Sequence, residues 1–436
     1  MKETVLITGC SNAFKATLAT EFIKLGKKVI IATPKDHRPK KYPKGVKAFH
    51  FNSFGERSIL KNVVPLARVN NITHVSTIQE EGLEAAALVR KELGLPGYTR
   101  EKINIARNKG AMYRFLKREK ILGPKFRVFK KGITQKSILN VAKGLKYPLV
   151  IKPTLGAGNT GVRFVRSAKD LWKQYSSTLK EVNHHGFETF DFRPWAGEWI
   201  MCEFVEGKEV EADLYVEKGK IKFKIVQDKP LLVERNGVLE ENTSVTPPVS
   251  LTRTETQNLD KALLKLAKVV YERLARPCGI KYFTLYPEYI IDKNGTCHCL
   301  EFALRICGAI GPMIIQKSTG VNMMEIFARA SLGLKTRIKK RKVTRAVCWQ
   351  TLLSDRCGIF CGLKGLGRAD TFMYAKKGDY ILTPQSDYIA SVITEGKSPH
   401  DALDRMALIL KDVRIIMKTK NGIEKIPVPI PRLAAY

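Results

Sequence analysis

Two apolar runs, Tyr289-Ile290-Ile291 and Cys297 to Leu300, flank the turn Asp292-Lys293-Asn294-Gly295. Asn-Gly between such runs is the strongest short-range hairpin signal, so two adjacent antiparallel strands are predicted here. The hairpin brings Glu288 and Glu301, thirteen residues apart, onto neighbouring strands near its open end, with Arg305 one helical turn beyond. Hard divalent cations take oxygen ligands, and Mg²⁺ is usually held by one or two carboxylates together with substrate phosphates. The pattern therefore predicts a Mg-nucleotide site and phosphoryl transfer. Acids on neighbouring strands also occur as plain solvated groups. The rest of the chain decides between the two.

At 436 residues, with 44% hydrophobic and 27% charged residues, the chain has material for two to four packed units of ordinary globular type. No window of eighteen uncharged apolar residues occurs, and Met1-Lys2-Glu3 runs straight into the strand-like Thr4 to Thr8 without a signal-peptide core. A cytoplasmic protein without a membrane span is expected. Nine cysteines sit mostly in apolar stretches, as reduced core thiols do. Cys297 and Cys299 flank His298, and Cys357 precedes Cys361, but neither couplet has the second pair a structural zinc site needs.

The formal charge of +35 attracts anionic partners but does not choose a fold. Its densest run, Lys335 to Arg345, reads as a solvated linker. No nucleic-acid recognition module accompanies it, so nucleic acid is not expected as the main partner.

Strand and helix patterns alternate from the start. Val5 to Thr8 is β-prone, Ala13 to Leu25 is apolar at helical spacing, and Lys28 to Ala32 is a second strand. A further helix from Glu80 to Leu93 stops at Gly94, followed by Pro96-Gly97. The first hundred residues read as a doubly wound α/β unit. Their Gly9-Cys10-Ser11-Asn12-Ala13 turn lacks the G-x-G-x-x-G spacing of a dinucleotide cradle.

The most specific local signal runs from Tyr147 to Val162. A buried strand delivers Lys152, the glycine-rich turn Gly156-Ala157-Gly158-Asn159-Thr160-Gly161 follows, and a second strand covers Val162 to Val165. Glycines let successive backbone N–H groups approach phosphate oxygens closely. No Gly-Lys-Ser/Thr follows, so this is not a Walker A loop. Farther on, Trp199 to Asp213 reads as a strand, a turn at Glu206-Gly207-Lys208, and an alternating strand.

In order and spacing these elements resemble the ATP-grasp superfamily of carboxylate–amine ligases, from the N-terminus to about residue 420. The resemblance also takes in Leu93 to Gly97, Asn108-Lys109 opening a helix, and Glu301-Phe302-Ala303-Leu304-Arg305-Ile306-Cys307-Gly308. It implies an ATP-grasp fold of mixed α/β and α+β class. The implied parts are an N-terminal doubly wound domain (1–108), a small ATP lid lobe (109–203) and a larger lobe with a C-terminal subdomain (204–436).

The resemblance also implies roles. Adenine would face the Glu203-Phe204-Val205 hinge, Glu209 the ribose hydroxyls, and Lys109 and Lys152 the α- and β-phosphates. Gly156, Gly158 and Gly161 would belong to the flap over the γ-phosphate. Glu288 and Glu301 would hold Mg²⁺, with Mn²⁺ as an alternative ion, and Lys229 is a weaker phosphate contact. Arg305 would orient the substrate carboxylate and stabilise the oxyanion, as a planar guanidinium can do bidentately.

The family usually carries Asn two residues after the second metal-binding Glu, where Ala303 stands here. A similar loss marks the L-amino-acid ligase (bacilysin synthetase-like) branch. By that likeness Glu80, or Glu81 in its place, faces a substrate ammonium, and Glu240 to Pro248 forms a substrate-proximal loop without a histidine. In the C-terminal subdomain, Ser398 or His400 would cap a helix.

The implied activity is ATP-dependent. A carboxylate becomes an acyl phosphate and an amine, most simply of an amino acid, attacks it to give an amide or dipeptide, ADP and phosphate. The alternatives are a ligase joining a larger carboxylate or a cyclohexenone to an amino acid, and a non-catalytic nucleotide- or RNA-binding protein. A homodimer is compatible with any of them.

Overall fold

The structure, a computed structural model, describes residues 3–35, 39, 41–156, 161–184, 197–230, 232–235, 238–338, 345–381 and 388–431. The N-terminal unit is built on a parallel sheet of order β3-β2-β1-β4, with β1 Thr4–Thr8, β2 Lys28–Pro34, β3 Val46–Phe51 and β4 Ile72–Ser76. Its helices are α1 (Ala13–Lys24), α2 (Glu56–Ser58), α3 (Val64–Val69), α4 (Gly82–Leu93) and α5 (Arg100–Arg107). All five residues of β1 are buried, as expected of a central parallel strand covered on both faces. The Asn12 side chain caps α1 by accepting from Lys15 N at 2.8 Å, and Gly94, at φ +65°, ends α4 in the left-handed conformation.

Gly82 opens α4 against the end of β1. A Cβ there would stand 2.0 Å from the Thr8 carbonyl oxygen and 2.7 Å from Thr77 Oγ1. The β4–α4 turn, with Glu80 on it, thus lies tight on the sheet. Gly82→Ala is expected to lower stability by about 2–3 kcal/mol through forced backbone displacement. Thermal unfolding checks this, and an unchanged melting temperature would show that the turn can retreat without cost.

A small antiparallel sheet of order β5-β8-β6-β7 follows, made of β5 Phe126–Lys130, β6 Leu149–Pro153, β7 Arg163–Val165 and β8 Glu198–Glu203. Helix α6 (Lys109–Arg118) precedes the first of these strands in the chain, and α7 (Gln135–Ala142) and α8 (Ala168–His184) lie between them. Its core centres on Trp199, Tyr175, Ile151 and Met201.

The large sheet has eight strands in the order β15-β14-β9-β10-β13-β16-β20-β18. They are β9 Lys208–Glu217, β10 Lys220–Asp228, β13 Thr243–Thr246, β14 Tyr282–Ile291, β15 Cys297–Ala303, β16 Ala346–Leu353, β18 Asp370–Met373 and β20 Tyr388–Gly396. Strands β11 (Leu232–Arg235) and β12 (Val238–Glu241) form a separate two-stranded hairpin. The four-stranded sheet β19-β17-β21-β22 (Tyr380–Ile381, Gly358–Lys364, Arg414–Thr419, Gly422–Pro427) closes the chain. Helices α9 (Arg253–Val270), α10 (Gly311–Thr319), α11 (Met323–Ser331) and α12 (Pro399–Leu410) complete the list, and Ser398 caps α12 with its side chain on Asp401 N at 3.1 Å. Among the described residues no helix is long and apolar enough to cross a membrane.

Two sequence expectations change here. Strand β9 was expected to alternate, yet every residue from Val210 to Val216 is buried. Its position inside the sheet explains this. Val210, Ala212, Leu214 and Val216 pack on Leu259, Leu263 and Leu266 of α9, while Tyr215 on the other face joins residues of α1 and α11. The Glu240 to Pro248 stretch was expected as a loop. It is largely strand, because Thr243 to Thr246 pairs with Val347 to Gln350 of β16 and extends the large sheet.

Candidate active site

The β14–β15 hairpin forms as its turn dictates. Gly295 takes φ +74°, and Asp292 Oδ1 accepts from Asn294 N (2.9 Å) and Thr296 N (3.0 Å). In the resulting register Glu288 stands opposite Glu301 on one side and opposite Glu211 of β9 on the other. Three carboxylates therefore form a row across three strands, each step about 5 Å.

Like charges directly opposite one another destabilise a sheet, so the row needs cations. Lys229, one residue past β10, places Nζ 2.8 Å from Glu209, 3.1 Å from Glu288 and 3.6 Å from Glu211. Tyr286 donates its hydroxyl to Glu211. Lys109 Nζ lies 3.3 Å from Glu301 Oε2. Burial pushes the Glu301 carboxyl up, but the Lys109 and Lys152 ammoniums together draw it below the ordinary carboxylate range. Glu301 is ionised.

Local backbone ties bring the two lysines together. Asn108 caps α6 through Ala111 N (2.9 Å), Lys109 N donates to Thr154 O (2.8 Å), and Asn108 Nδ2 reaches Thr154 Oγ1 (3.4 Å). The start of α6 is thereby stitched to the segment leaving β6, two residues past Lys152. Lys152, Pro153 and Gly156 line the same cleft as Lys109, Glu288 and Glu301. Gly161, at φ +74°, ends the turn before β7, and its neighbour Val162 lines the cleft. Gly158 lies outside the described residues.

Glu203, Phe204 and Val205 line the cleft where β8 leaves the small sheet. Phe204 N donates to Pro148 O at 2.9 Å, the Glu203 carboxylate accepts from Lys146 N at 2.9 Å, and the Phe204 ring meets Phe164 edge-on at 5.0 Å. Val150 and Val162 from the small lobe and Ile290 and Leu300 from the hairpin supply apolar walls here. A flat heterocycle fits such a slot, its polar edge meeting the hinge backbone.

Arg305 was expected one helical turn after Glu301, but the interval is crossed by strand and bend. Its Nε donates to Glu80, its Nη1 donates to Ile306 O (2.7 Å), and its guanidinium sits 5.8 Å from the Tyr286 ring centre. Glu80 also accepts from Arg107 Nη1 at 3.0 Å. Burial raises the Glu80 carboxyl, yet the flanking Arg305 and Arg107 guanidiniums outweigh it and hold the group at about 2. Glu80 was expected to face an ammonium. With both oxygens engaged by guanidiniums, it holds Arg305 in place.

That pairing sets a pH dependence. The interval between an ordinary 4.5 and about 2 corresponds to on the order of 3 kcal/mol. Because the folded value is the lower one, the contribution is complete above about pH 4.5 and is lost as the pH falls towards about 2. Glu80→Gln is expected to flatten the acid limb of the stability curve across that window. Denaturant unfolding at a series of pH values checks it, and a parallel limb in the variant would dissolve the assignment.

Sequence reasoning missed Glu211, Asp213, Tyr286 and Arg107. The signal was present for two of them: Glu209, Glu211 and Asp213 alternate with apolar residues, which puts three acids on one face of a strand. Asp213 is fully buried, accepts from Cys307 N at 2.9 Å, and is pushed up to about 7 by that burial. It pins the bend that carries Arg305. Tyr286 and Arg107 gave no such signal, because their meaning depends on which strand or helix lies alongside.

No set of three or more His, Cys, Asp and Glu side chains in metal-holding geometry occurs among the described residues. Glu288 and Glu301 alone cannot complete the shell of a divalent ion. Two carboxylates whose remaining partners come from phosphate oxygens suit Mg²⁺, so the donor set fits a metal that arrives with a nucleotide.

Residues 145–313 match the family model of the ATP-grasp domain. The structure superimposes on an L-amino acid ligase from Bacillus licheniformis with a TM-score of 0.77 and 21% identity, covering 96% of this chain and 99% of that one. Biotin carboxylase from Campylobacter jejuni gives 0.66 and 15% identity, over 98% of this chain and 93% of the other. The fold is the ATP-grasp fold, and the expectation of an N-terminal doubly wound unit, a small lobe and a larger lobe agrees with it. Among curated relatives, an uncharacterized protein of Sinorhizobium fredii is 23% identical over 330 residues, or 73% of this chain. The chain spans 62% of the length of that relative and 39% of a 2-oxoglutarate carboxylase small subunit from Hydrogenobacter thermophilus.

Proposed function

We propose that the protein is an ATP-dependent, ADP-forming ligase that activates a carboxylate as an acyl phosphate and joins it to an amine, most simply the amine of an amino acid. The observation that carries this reading is the meeting of Lys109, Lys152, Glu288 and Glu301 in one cleft, with Arg305 opening onto the same space. Mg-ATP supplies the transferable phosphoryl group and the divalent charge that offsets its oxygens.

The chain's own groups have separate tasks. Lys109 and Lys152 neutralise phosphate oxygens as they approach, and Glu288 and Glu301 supply the two oxygen ligands. Arg305, steadied by Glu80 and Tyr286, directs a donor fork at the substrate carboxylate. One carboxylate oxygen attacks the γ-phosphorus and ADP leaves. The amine nitrogen then attacks the acyl carbon, loses a proton, and phosphate departs as the amide forms. Most of the acceleration comes from positioning and from charge already aimed at the developing oxyanion.

A panel of pairwise amino-acid mixtures with Mg-ATP, read by ADP and phosphate release, tests the proposal. Amide product formed one-for-one with ADP is the expected result. Tight ATP binding with no ADP release from any pair would remove the amino-acid ligase reading.

A further inference from the structure

The cleft does not end at Arg305. In the sheet order, Trp349 on β16 lies three strands beyond Glu211 on β9, about 14 Å at roughly 4.8 Å per strand. Over that interval the lining changes from charged to aromatic and small: Ser244, register partner of Trp349, then Trp349 and Tyr388, with Gly308 and Ala309.

This wall is braced. Trp349, Met313, Phe372 and Tyr374 all pack on the buried cluster of Ile310, Ile314, Val347 and Ile393. The Tyr374 ring lies 5.0 Å from Phe372 and 5.5 Å from Tyr388, and its hydroxyl stands 3.1 Å from Ser391 Oγ. Phe372 in turn meets Phe14 of α1 edge-on at 6.2 Å, which ties the wall to the N-terminal unit. Such pairs hold rings in fixed orientations.

Two features point to a ligand rather than a sealed core. Trp349 Nε1 is buried and has no hydrogen-bond partner among the described residues, although a buried indole N–H usually has one. Gly308 borders the cleft, and a Cβ placed on it would meet no atom within 4 Å. The open space and the unused donor belong to two residues that line the same cleft.

We infer that this arm of the cleft binds a large apolar side chain, aromatic or long aliphatic, belonging to one of the two substrates that are joined, with Trp349 Nε1–H donated to an acceptor on that substrate. The inference rests on the ligase reading and names the substrate class it takes. A span of about 14 Å from the carboxylate row exceeds one small amino acid and suits a bulky side chain or a dipeptide-sized partner. Anionic side chains are disfavoured, because the negative faces of the rings offer them no counter-ion.

The test varies one amino acid across Phe, Trp, Leu, Ala, Asp and Lys and measures kcat/KM for ADP release in the wild type, Trp349→Ala, Trp349→Phe and Gly308→Val. The wild type is expected to prefer Phe or Trp over Ala by at least about tenfold, the discrimination a few extra buried methylenes provide. Trp349→Ala and Gly308→Val should reduce that ratio by about tenfold or more, one by removing the wall and the other by filling the space. Trp349→Phe, which keeps a ring and loses the N–H, should cost about three- to tenfold for the preferred substrate. It also serves if Trp349→Ala does not fold.

Equal losses for every substrate, or a preference for Asp or Lys, would overturn the inference. If no amino acid elicits ADP, calorimetric titration of Phe and Trp into the protein separates the two ideas. Binding that Gly308→Val abolishes upholds the apolar arm and sinks only the ligase reading, and absence of binding to the wild type sinks the arm.

Discussion

Glu301→Gln is expected to fold like the parent and to release ADP about 10²–10³-fold more slowly, the loss that follows removal of one preorganised charge from a phosphoryl-transfer site. The amide has the shape of the carboxylate, so strand β15 keeps its pairing with β14. The carboxylate now lies between Lys109 at 3.3 Å and the Lys152 charge, and opposite Glu288. Removing it relieves one like-charge contact and leaves two ammoniums less well balanced. Those effects oppose each other, so the melting temperature should shift by only a few degrees. ADP release at the parental rate, in a variant of unchanged melting behaviour, would remove Glu301 from metal binding.

The second large effect is expected for Arg305→Lys. Lysine keeps the positive charge but not the planar fork, and it cannot hold Glu80, the Ile306 carbonyl and a substrate carboxylate together. Glu80 would retain Arg107 as a partner, so the fold should survive. A raised KM for ATP at unchanged kcat would instead place Arg305 on the nucleotide and transfer the carboxylate to another residue.

Where function depended on local chain chemistry, the sequence was legible. Asn294-Gly295 specifies its turn, Asn108 and Ser398 cap the helices that follow them, and Gly94 ends α4. The turn places Glu288 and Glu301 on neighbouring strands, but they come directly opposite one another only because an irregularity between Glu288 and Tyr289 shifts the pairing by one residue, which the turn does not specify. Residues whose role depends on long-range packing were harder to read. Glu80 looked like a helix-start acid, yet its partners, Arg107 and Arg305, come from 27 and 225 residues away in the chain. Arg305 was placed by counting a helical turn, whereas strand β15 and a bend carry it.

Strand β9 shows the same limit in another form. The stretch was read as an alternating strand, and the pattern itself is real. Its polar face is turned into a cleft rather than towards open water, and only the neighbouring strands and helices determine that. The aromatic wall at Trp349 left no sequence mark at all, since Phe14, Trp349, Phe372, Tyr374 and Tyr388 come from separate elements.

Lys229 carries one more consequence. Its ammonium already serves as resident counter-ion to Glu209, Glu211 and Glu288, and Lys109 does the same for Glu301, so a lone divalent ion reaching the hairpin finds both proposed oxygen donors engaged. It must evict a bound cation and gains no phosphate ligand in exchange. A metal escorted by a triphosphate faces no such deficit, because the displaced ammonium can turn to the incoming anion. The protein should therefore be nearly indifferent to free magnesium and respond to it sharply once nucleotide is present: a gate on the order of arrival, worked by the two lysines that sit on the carboxylates.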